Sequence, residues 1–433
     1  GVQAPIRVAY TFEQCWHRVP GGTASAAIRA AVALGDIQGV ELVGVAGTHR
    51  RPPEPSFMPP IPIHALPFRR PLLYESWLRF GWPQVERATG PVDVLHCTGL
   101  IPAPSKAPLV VTLHDVAWRH RPDHFTRHGV RIFERSLVEI RRRAEMILCP
   151  STVTMLDAER AGINTERLRL IPWGVESRPV TDVDVALVRA KYSLPNEFLL
   201  FVGTVEPRKN LRRLVDAMAV SKCSLPLVVA GSQGWGESGV SPTSSVQFIG
   251  FVADADLPAL YSSAAAFCYP SEREGFGMPV LEAMSYGTPV VTSLGTSTEE
   301  VAGGAAVLVD PFDVEDIARG IDEVLSRRQE LSIWGLRQAA RQHRRTDRAR
   351  RLWQPHLLCG RRRHVFRAGS HPAGARGRRL RHRLARPVGG DLRQAGAGRP
   401  NRGASPKGRG SPGPGAGRRA PGADEGTTKM LWP

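Results

Sequence analysis

Short apolar runs alternate with segments of helical period along the first 325 residues. In the first part the runs fall at 6–10, 42–45, 92–96, 109–113, 146–149 and 168–171, with helices expected at 24–34, 127–143 and from residue 152. A second series has runs at 198–202, 227–230, 246–249, 266–269, 289–292 and 306–309, with helices at 211–219, 254–263 and 314–325. Strands that alternate with helices over short connections fold as parallel, doubly wound sheets. The pattern predicts an α/β protein with two Rossmann-like domains facing across a cleft. The first spans 1–175, the polar stretch 176–195 is read as a linker, and the second spans 196–340. Residues 51–71 carry eight prolines and no clear period, and are read as a long surface loop.

Chemistry-bearing residues concentrate where these strands end, and open α/β sheets bind ligands at the carboxyl edge. The run 266–269 leads into Ser271-Glu272-Arg273-Glu274-Gly275-Phe276-Gly277, then a short apolar helix carrying Glu282. Backbone N–H groups at such a glycine turn can receive an anion or a sugar hydroxyl. By itself the segment also reads as a connection with two solvated glutamates. The run 198–202 opens into Gly203-Thr204-Val205-Glu206-Pro207-Arg208-Lys209-Asn210. Two cations near a helix start oppose the dipole there, which argues for a task such as neutralising a diphosphate. Weaker signals are the Gly21-Gly22 loop after the first strand, which is often a mere turn, and His114-Asp115 after the fourth run. That histidine suits a sugar contact or proton movement, and equally a structural role.

Charge changes the picture less than its total suggests. The formal net charge is +18, but of 58 basic and 40 acidic residues, 24 and 4 lie from Arg341 onward, which leaves 34 and 36 before it. The basicity belongs to the tail, 341–433, whose Arg/Gly/Pro-rich sequence cannot bury enough apolar surface to fold alone. A disordered segment is expected there, either translated out of frame from near residue 340 or serving as a basic arm. The six cysteines are scattered without a CxxC pair, as reduced thiols are. With no apolar run of membrane-spanning length and no leader-like start, a cytoplasmic protein is expected. The basic helix 127–143 is either a solvated face or a peripheral contact with anionic lipid.

Taken in order, Gly-Thr-Val-Glu-Pro-Arg-Lys-Asn at 203–210, Phe-Ile-Gly-Phe-Val at 248–252, the two-glutamate segment and Gly-Thr-Pro-Val-Val at 287–291 resemble the retaining GT-B-fold glycosyltransferases of family 4. The resemblance covers about 6–325 and is tightest in the second domain. It implies a hexosyltransferase that moves a sugar, mannose by the form of the Glu-Pro-Arg-Lys-Asn stretch, from a GDP-, UDP- or dTDP-sugar to a glycan or lipid-linked acceptor. Arg208 and Lys209 would hold the diphosphate with help from the backbone near Gly22, Glu282 the ribose, and the segment around Gly250 the base. Glu274 and the N–H groups of Gly275, Phe276 and Gly277 would grip the transferred sugar, which His114 would approach from the first domain. No metal or cofactor is implied, and no specific nucleic acid. The family usually closes with a helix crossing back onto the first domain; here 336–353 begins that way and then departs. The rivals are a GT-B-fold sugar-nucleotide epimerase and an RNA- or polyanion-binding protein acting through the tail.

Overall fold

Both series of apolar runs become parallel sheets. The structure, a computed structural model, describes residues 4–18, 20–232 and 240–352. The tail expected to be disordered lies outside the described residues from 353 onward. The first sheet is built from β1 (Ile6–Thr11), β2 (Val40–Ala46), β3 (Ile63–Ala65), β4 (Val94–Cys97), β5 (Leu109–Thr112), β6 (Ala144–Cys149) and β7 (Leu168–Leu170), in the spatial order β3-β2-β1-β4-β5-β6-β7. The second holds β8 (Leu199–Val202), β9 (Leu227–Ala230), β10 (Val246–Gly250), β11 (Ala266–Tyr269), β12 (Val290–Ser293) and β13 (Val307–Val309), ordered β10-β9-β8-β11-β12-β13. In each sheet the strand order reverses once, beside β1 and beside β8, and such switch points open a crevice at the carboxyl edge.

Helices cover the sheets. On the first lie α1 (Gly21–Gly35), α2 (Arg70–Phe80), α3 (Glu86–Thr89), α4 (Ala117–His120), α5 (Arg127–Arg143) and α6 (Thr152–Arg160). The second carries α7 (Asp182–Lys191), α8 (Leu211–Val220), α9 (Leu257–Ser263), α10 (Met278–Ser285), α11 (Ser297–Ala302), α12 (Val314–Ser326) and α13 (Arg328–Leu352). The second core is rich in aromatics: Phe198, Phe201, Tyr261, Phe267 and Tyr269 are all fully buried. Each such side chain contributes about 1.5–3 kcal/mol through removal from water.

Three expectations need correction. The proline-rich loop 51–71 contains β3, and α2 begins inside its last two residues. β3 is an edge strand of three residues, half-exposed to exposed, so it leaves no continuous apolar run. Pro71 sits in the first turn of α2, where the missing N–H costs nothing. The linker 176–195 is mostly helix: Thr181 and Asp184 form a reciprocal capping box at the start of α7. Val185 and Val188 of α7 then pack into the second core. With only Val188 fully buried, the helix has too narrow an apolar stripe to be legible. Finally, α13 starts at Arg328 rather than 336 and runs unbroken past 340. It joins both halves of the chain: Gln342 donates to the Trp173 carbonyl, Thr346 to that of Pro172, and Gln338 to that of Val301. Specific packing therefore continues at least to Thr346, and a break in reading frame would lie beyond that residue.

Candidate active site

The chain leaves β8 through Gly203 and makes a 3-10 turn at Pro207–Lys209. Asn210 ends the turn in the left-handed region (φ 63°), where its short amide is tolerated, and donates to the carbonyls of Pro270 and Pro311. The turn is thus tied to the loop after β11. Lys209 is buried, with Nζ 2.6 Å from Glu274 Oε1 and 2.6 Å from the Tyr269 hydroxyl. Arg208 places Nη1 3.1 Å from Glu274 Oε2, and its Nε lies 2.7 Å from Glu206 Oε1. Ser271 adds a hydroxyl 2.5 Å from Glu274 Oε1. Arg208 and Lys209, chosen on sequence for the diphosphate, and Glu274, chosen for the sugar, form one cluster in which Lys209 and Glu274 are buried and Arg208 is half-buried.

The electrostatics follow from that cluster. Burial favours the neutral acid for Glu274, but Lys209 and Arg208 outweigh it and hold its carboxyl down to about 2. Burial works against the charge of Arg208, and the carboxylates of Glu206 and Glu274 overcome it and raise its pKa. Lys209 is lowered, by burial first and then by the Arg208 charge. Both oxygens of Glu274 are engaged, so in this arrangement it organises the cations and is not a free nucleophile. The adjacent N–H groups of Gly275, Phe276 and Gly277 donate to no protein group among the described residues.

Loops from the carboxyl edges of both sheets meet here. A Cβ at Gly275 would lie 2.2 Å from the His114 carbonyl oxygen, so only glycine fits. Ser151 and Thr154 donate to the Gly275 carbonyl, and Thr154 also to that of His114. Thr152 binds Glu300 through its N–H and its hydroxyl, Arg273 pairs with Asp157, and Arg121 pairs with Glu272. None of Ser151, Thr154, Asp157 or Glu300 was singled out on sequence, because nothing in a single chain tells an interdomain partner from a helix cap. His114 Nε2 lies 2.8 Å from the Thr98 carbonyl, which fixes the proton on Nε2. Its Nδ1 is buried without a partner, and burial lowers the ring pKa, so a neutral imidazole presents a bare acceptor.

The remaining candidates are dispersed. Glu282 on α10 accepts from Tyr261 (3.1 Å) and from Arg29 of α1 (3.4 Å), and has no contact with Glu274. Gly22 is exposed in the first turn of α1, which starts at Gly21, three residues before the expected start at 24, and Gly250 is exposed at the end of β10. Phe276 is a buried packing residue against Trp173, with ring centroids 5.5 Å apart. Gly277 caps α10 at φ 102°. Of the two Asp-x-Asp pairs, Asp182 and Asp184 sit in the first turn of α7, where Asp184 completes the cap, and Asp256 of the Asp254–Asp256 pair is held by Lys191 and Tyr192. Among the described residues no cluster of three or more His, Cys, Asp or Glu side chains could hold a metal.

Comparison with known proteins places both halves of the chain. Residues 20–178 match the family model "Glycosyltransferase Family 4", and residues 188–343 match "Glycosyl transferases group 1". The O-antigen chain mannosyltransferase B of Escherichia coli is 35% identical over 248 residues, 53% of this chain and 65% of that protein. The serotype-specific mannosyltransferase WbdA of the same species is 36% identical over 174 residues, which cover 36% of this chain and 21% of WbdA. This chain thus spans just under two thirds and about one fifth of the length of those two relatives. Among solved structures, Anabaena HepE in complex with UDP and glucose superposes with a TM-score of 0.62 at 19% identity, over 82% of this chain and 100% of that one. WaaG, a glycosyltransferase involved in lipopolysaccharide biosynthesis, gives 0.54 at 18% identity, over 79% and 95%. At those identities the likeness is one of fold, the two-domain GT-B architecture seen here. With two family models laid end to end over 20–178 and 188–343, the chain belongs to the glycosyl transferases of group 1 and family 4.

Proposed function

We propose that this protein transfers a sugar, mannose in the first instance, from a nucleoside-diphosphate donor to a glycan or lipid-linked acceptor of a bacterial surface polysaccharide, with retention at the anomeric carbon and without a metal. The observation that carries this reading is the cluster of half-buried Arg208 with buried Lys209 and Glu274, beside three unengaged N–H groups at the carboxyl edge of the second sheet. A diphosphate oxygen brought against Arg208 competes with Glu206 and Glu274 for the guanidinium and gains a charge-assisted contact as the leaving group develops charge. The C1–O bond to phosphate breaks, the acceptor oxygen bonds to C1 on the same face, and the acceptor proton passes to the departing phosphate oxygen. The neutral His114, with its bare Nδ1, accepts a hydroxyl of the transferred sugar. The mannosyl leaning is supported by the mannosyltransferase relatives and by the Glu206–Asn210 stretch.

Calorimetry with GDP-mannose, UDP-glucose and a dTDP-sugar tests this. Glu282→Ala should weaken the preferred nucleotide by about 1.5–3 kcal/mol, the value of a charged hydrogen bond. Unchanged affinity in Glu282→Ala and Lys209→Ala together would defeat the donor-site assignment. Release of free epimerised sugar nucleotide in place of transfer would favour the epimerase. Deleting residues 353–433 should leave nucleotide binding intact, whereas loss of nucleotide binding with the tail would favour the polyanion reading.

A peripheral membrane contact fits α2 better than the basic helix 127–143, now α5. On α5, Arg135 and Arg142 are paired with Glu75 and Glu139. On and just after α2, Leu72, Phe80 and Trp82 stand 58%, 78% and 43% exposed, with Arg79, itself paired with Glu75, beside them and Arg87 over the Trp82 ring. Aromatic and aliphatic side chains rimmed by arginine suit an anionic lipid surface. The double variant Phe80→Ser/Trp82→Ser should cut cosedimentation with phosphatidylglycerol vesicles by about tenfold; equal pelleting of both proteins would exclude this face.

A further inference from the structure

A second polar cluster lies in the first domain, where the loops after β1, β2 and β3 converge. Glu13 is 3% exposed, and its Oε2 accepts from the Gly47 N–H (2.7 Å) and lies 3.1 Å from His49 Nε2. Its other oxygen, Oε1, is buried with no hydrogen-bond partner. The same holds for His17 Nε2 and Arg70 Nη1. These groups feel one another: the charges of Arg70 and His49 reach His17, and those of Glu13 and Arg70 reach Tyr74. The loops are fastened from behind, with the Thr48 N–H on the Phe68 carbonyl and the Thr48 hydroxyl on that of Leu66. Each buried polar atom left unpaired costs about 1–3 kcal/mol, so three in one place form a site prepared for something else.

The cluster adjoins the reaction centre. Gln14, next to Glu13, donates to Thr98 Oγ1, and the Thr98 carbonyl receives His114 Nε2. We propose that Glu13, His17 and Arg70 form the acceptor subsite and grip adjacent hydroxyls of an uncharged sugar at the end of the acceptor glycan. This rests on the glycosyltransferase reading above. A sugar hydroxyl both donates and accepts, so it serves a carboxylate oxygen, a guanidinium N–H and an imidazole nitrogen alike. A phosphate offers acceptors only and would face the Glu13 carboxylate. His17 and Arg70 are half-buried, as is Trp16, whose ring stacks on His49, and these side chains form the outer edge of the cluster.

Saturation-transfer NMR on the full chain with GDP present tests the assignment. The probes are the methyl glycosides of α-mannose, α-glucose, β-galactose and α-rhamnose, with mannose 6-phosphate as the charged arm. At least one neutral glycoside should bind, Glu13→Gln and Arg70→Gln should each weaken it about tenfold or more, and the 6-phosphate should bind no better. Melting temperature shows that both variants fold, and GDP calorimetry reports the donor site separately. No binding by any neutral glycoside, binding unchanged in both variants, or a preference for the phosphate would overturn the subsite. If wild-type protein binds no nucleotide while Glu13→Gln still abolishes glycoside binding, the donor reading fails, and Glu13, His17 and Arg70 stand as a sugar-binding site without the acceptor role.

Discussion

Lys209→Ala should destabilise the second domain and remove nucleotide-sugar binding together. The substitution leaves the buried Glu274 carboxylate with Arg208 as its one cation, beside the Ser271 and Tyr269 hydroxyls, and deprives the Tyr269 hydroxyl of a neighbour. Removing one partner of a buried ion pair costs about 3–5 kcal/mol, far more than the methylenes of a lysine would. Denaturant melts measure that loss, and calorimetry with the preferred nucleotide measures the other. A variant as stable as wild type would show that water reaches the pair. The same cluster has a pH signature. Glu274 has a folded pKa of about 2, below its ordinary 4.5, so its contribution is complete above 4.5 and disappears as pH falls towards 2. That shift corresponds to about 3 kcal/mol. Glu274→Gln should therefore be less stable than wild type at pH 7 and nearly equal to it near pH 2.

Gly275→Ala should cut transfer about a hundredfold or more while leaving the second domain folded. The new methyl would meet the His114 carbonyl oxygen at 2.2 Å and its carbon at 3.0 Å, both backbone atoms that cannot turn aside. Relief comes only from parting the loops, which breaks the hydrogen bonds from Ser151 and Thr154 to the Gly275 carbonyl. A displacement of about 1 Å at a reacting centre can cost a hundredfold in rate. The expected result is a fall in kcat of about that size or more, with a larger radius of gyration in solution scattering. Full activity in this variant would mean that the two loops do not touch during turnover.

Much of the architecture was legible because buried parallel strands announce themselves as apolar runs. β9, for instance, is Leu-Val-Val-Ala and buried throughout. The exceptions share a cause. β3 and α7 each bury little, so neither carries the periodic signal by which an element is recognised. At the site, residue types at strand ends were informative, and Arg208, Lys209, Glu274 and His114 all lie where the edges of the sheets meet. Their partners were not legible. That Glu274 is held by the two cations, and that Glu282 reaches Arg29, are facts of tertiary contact that no spacing encodes. The Glu13–His17–Arg70 cluster was hidden for the same reason, since Arg70 at the start of α2 joins two residues of the loop after β1.

The last described helix carries a consequence for synthesis. Every group that α13 fastens, Trp173, Pro172 and Val301 among them, leaves the ribosome before α13 does. Both sheets are complete in the chain by Val309, yet the strap joining their junction to the second domain arrives only with Gln338, Gln342 and Thr346. Each sheet can be laid down as it emerges, while the last fastening of their joint comes at the end. A nascent chain stalled before Arg328 would hold two formed sheets joined by their loop contacts alone, and should bind nucleotide before it can transfer sugar.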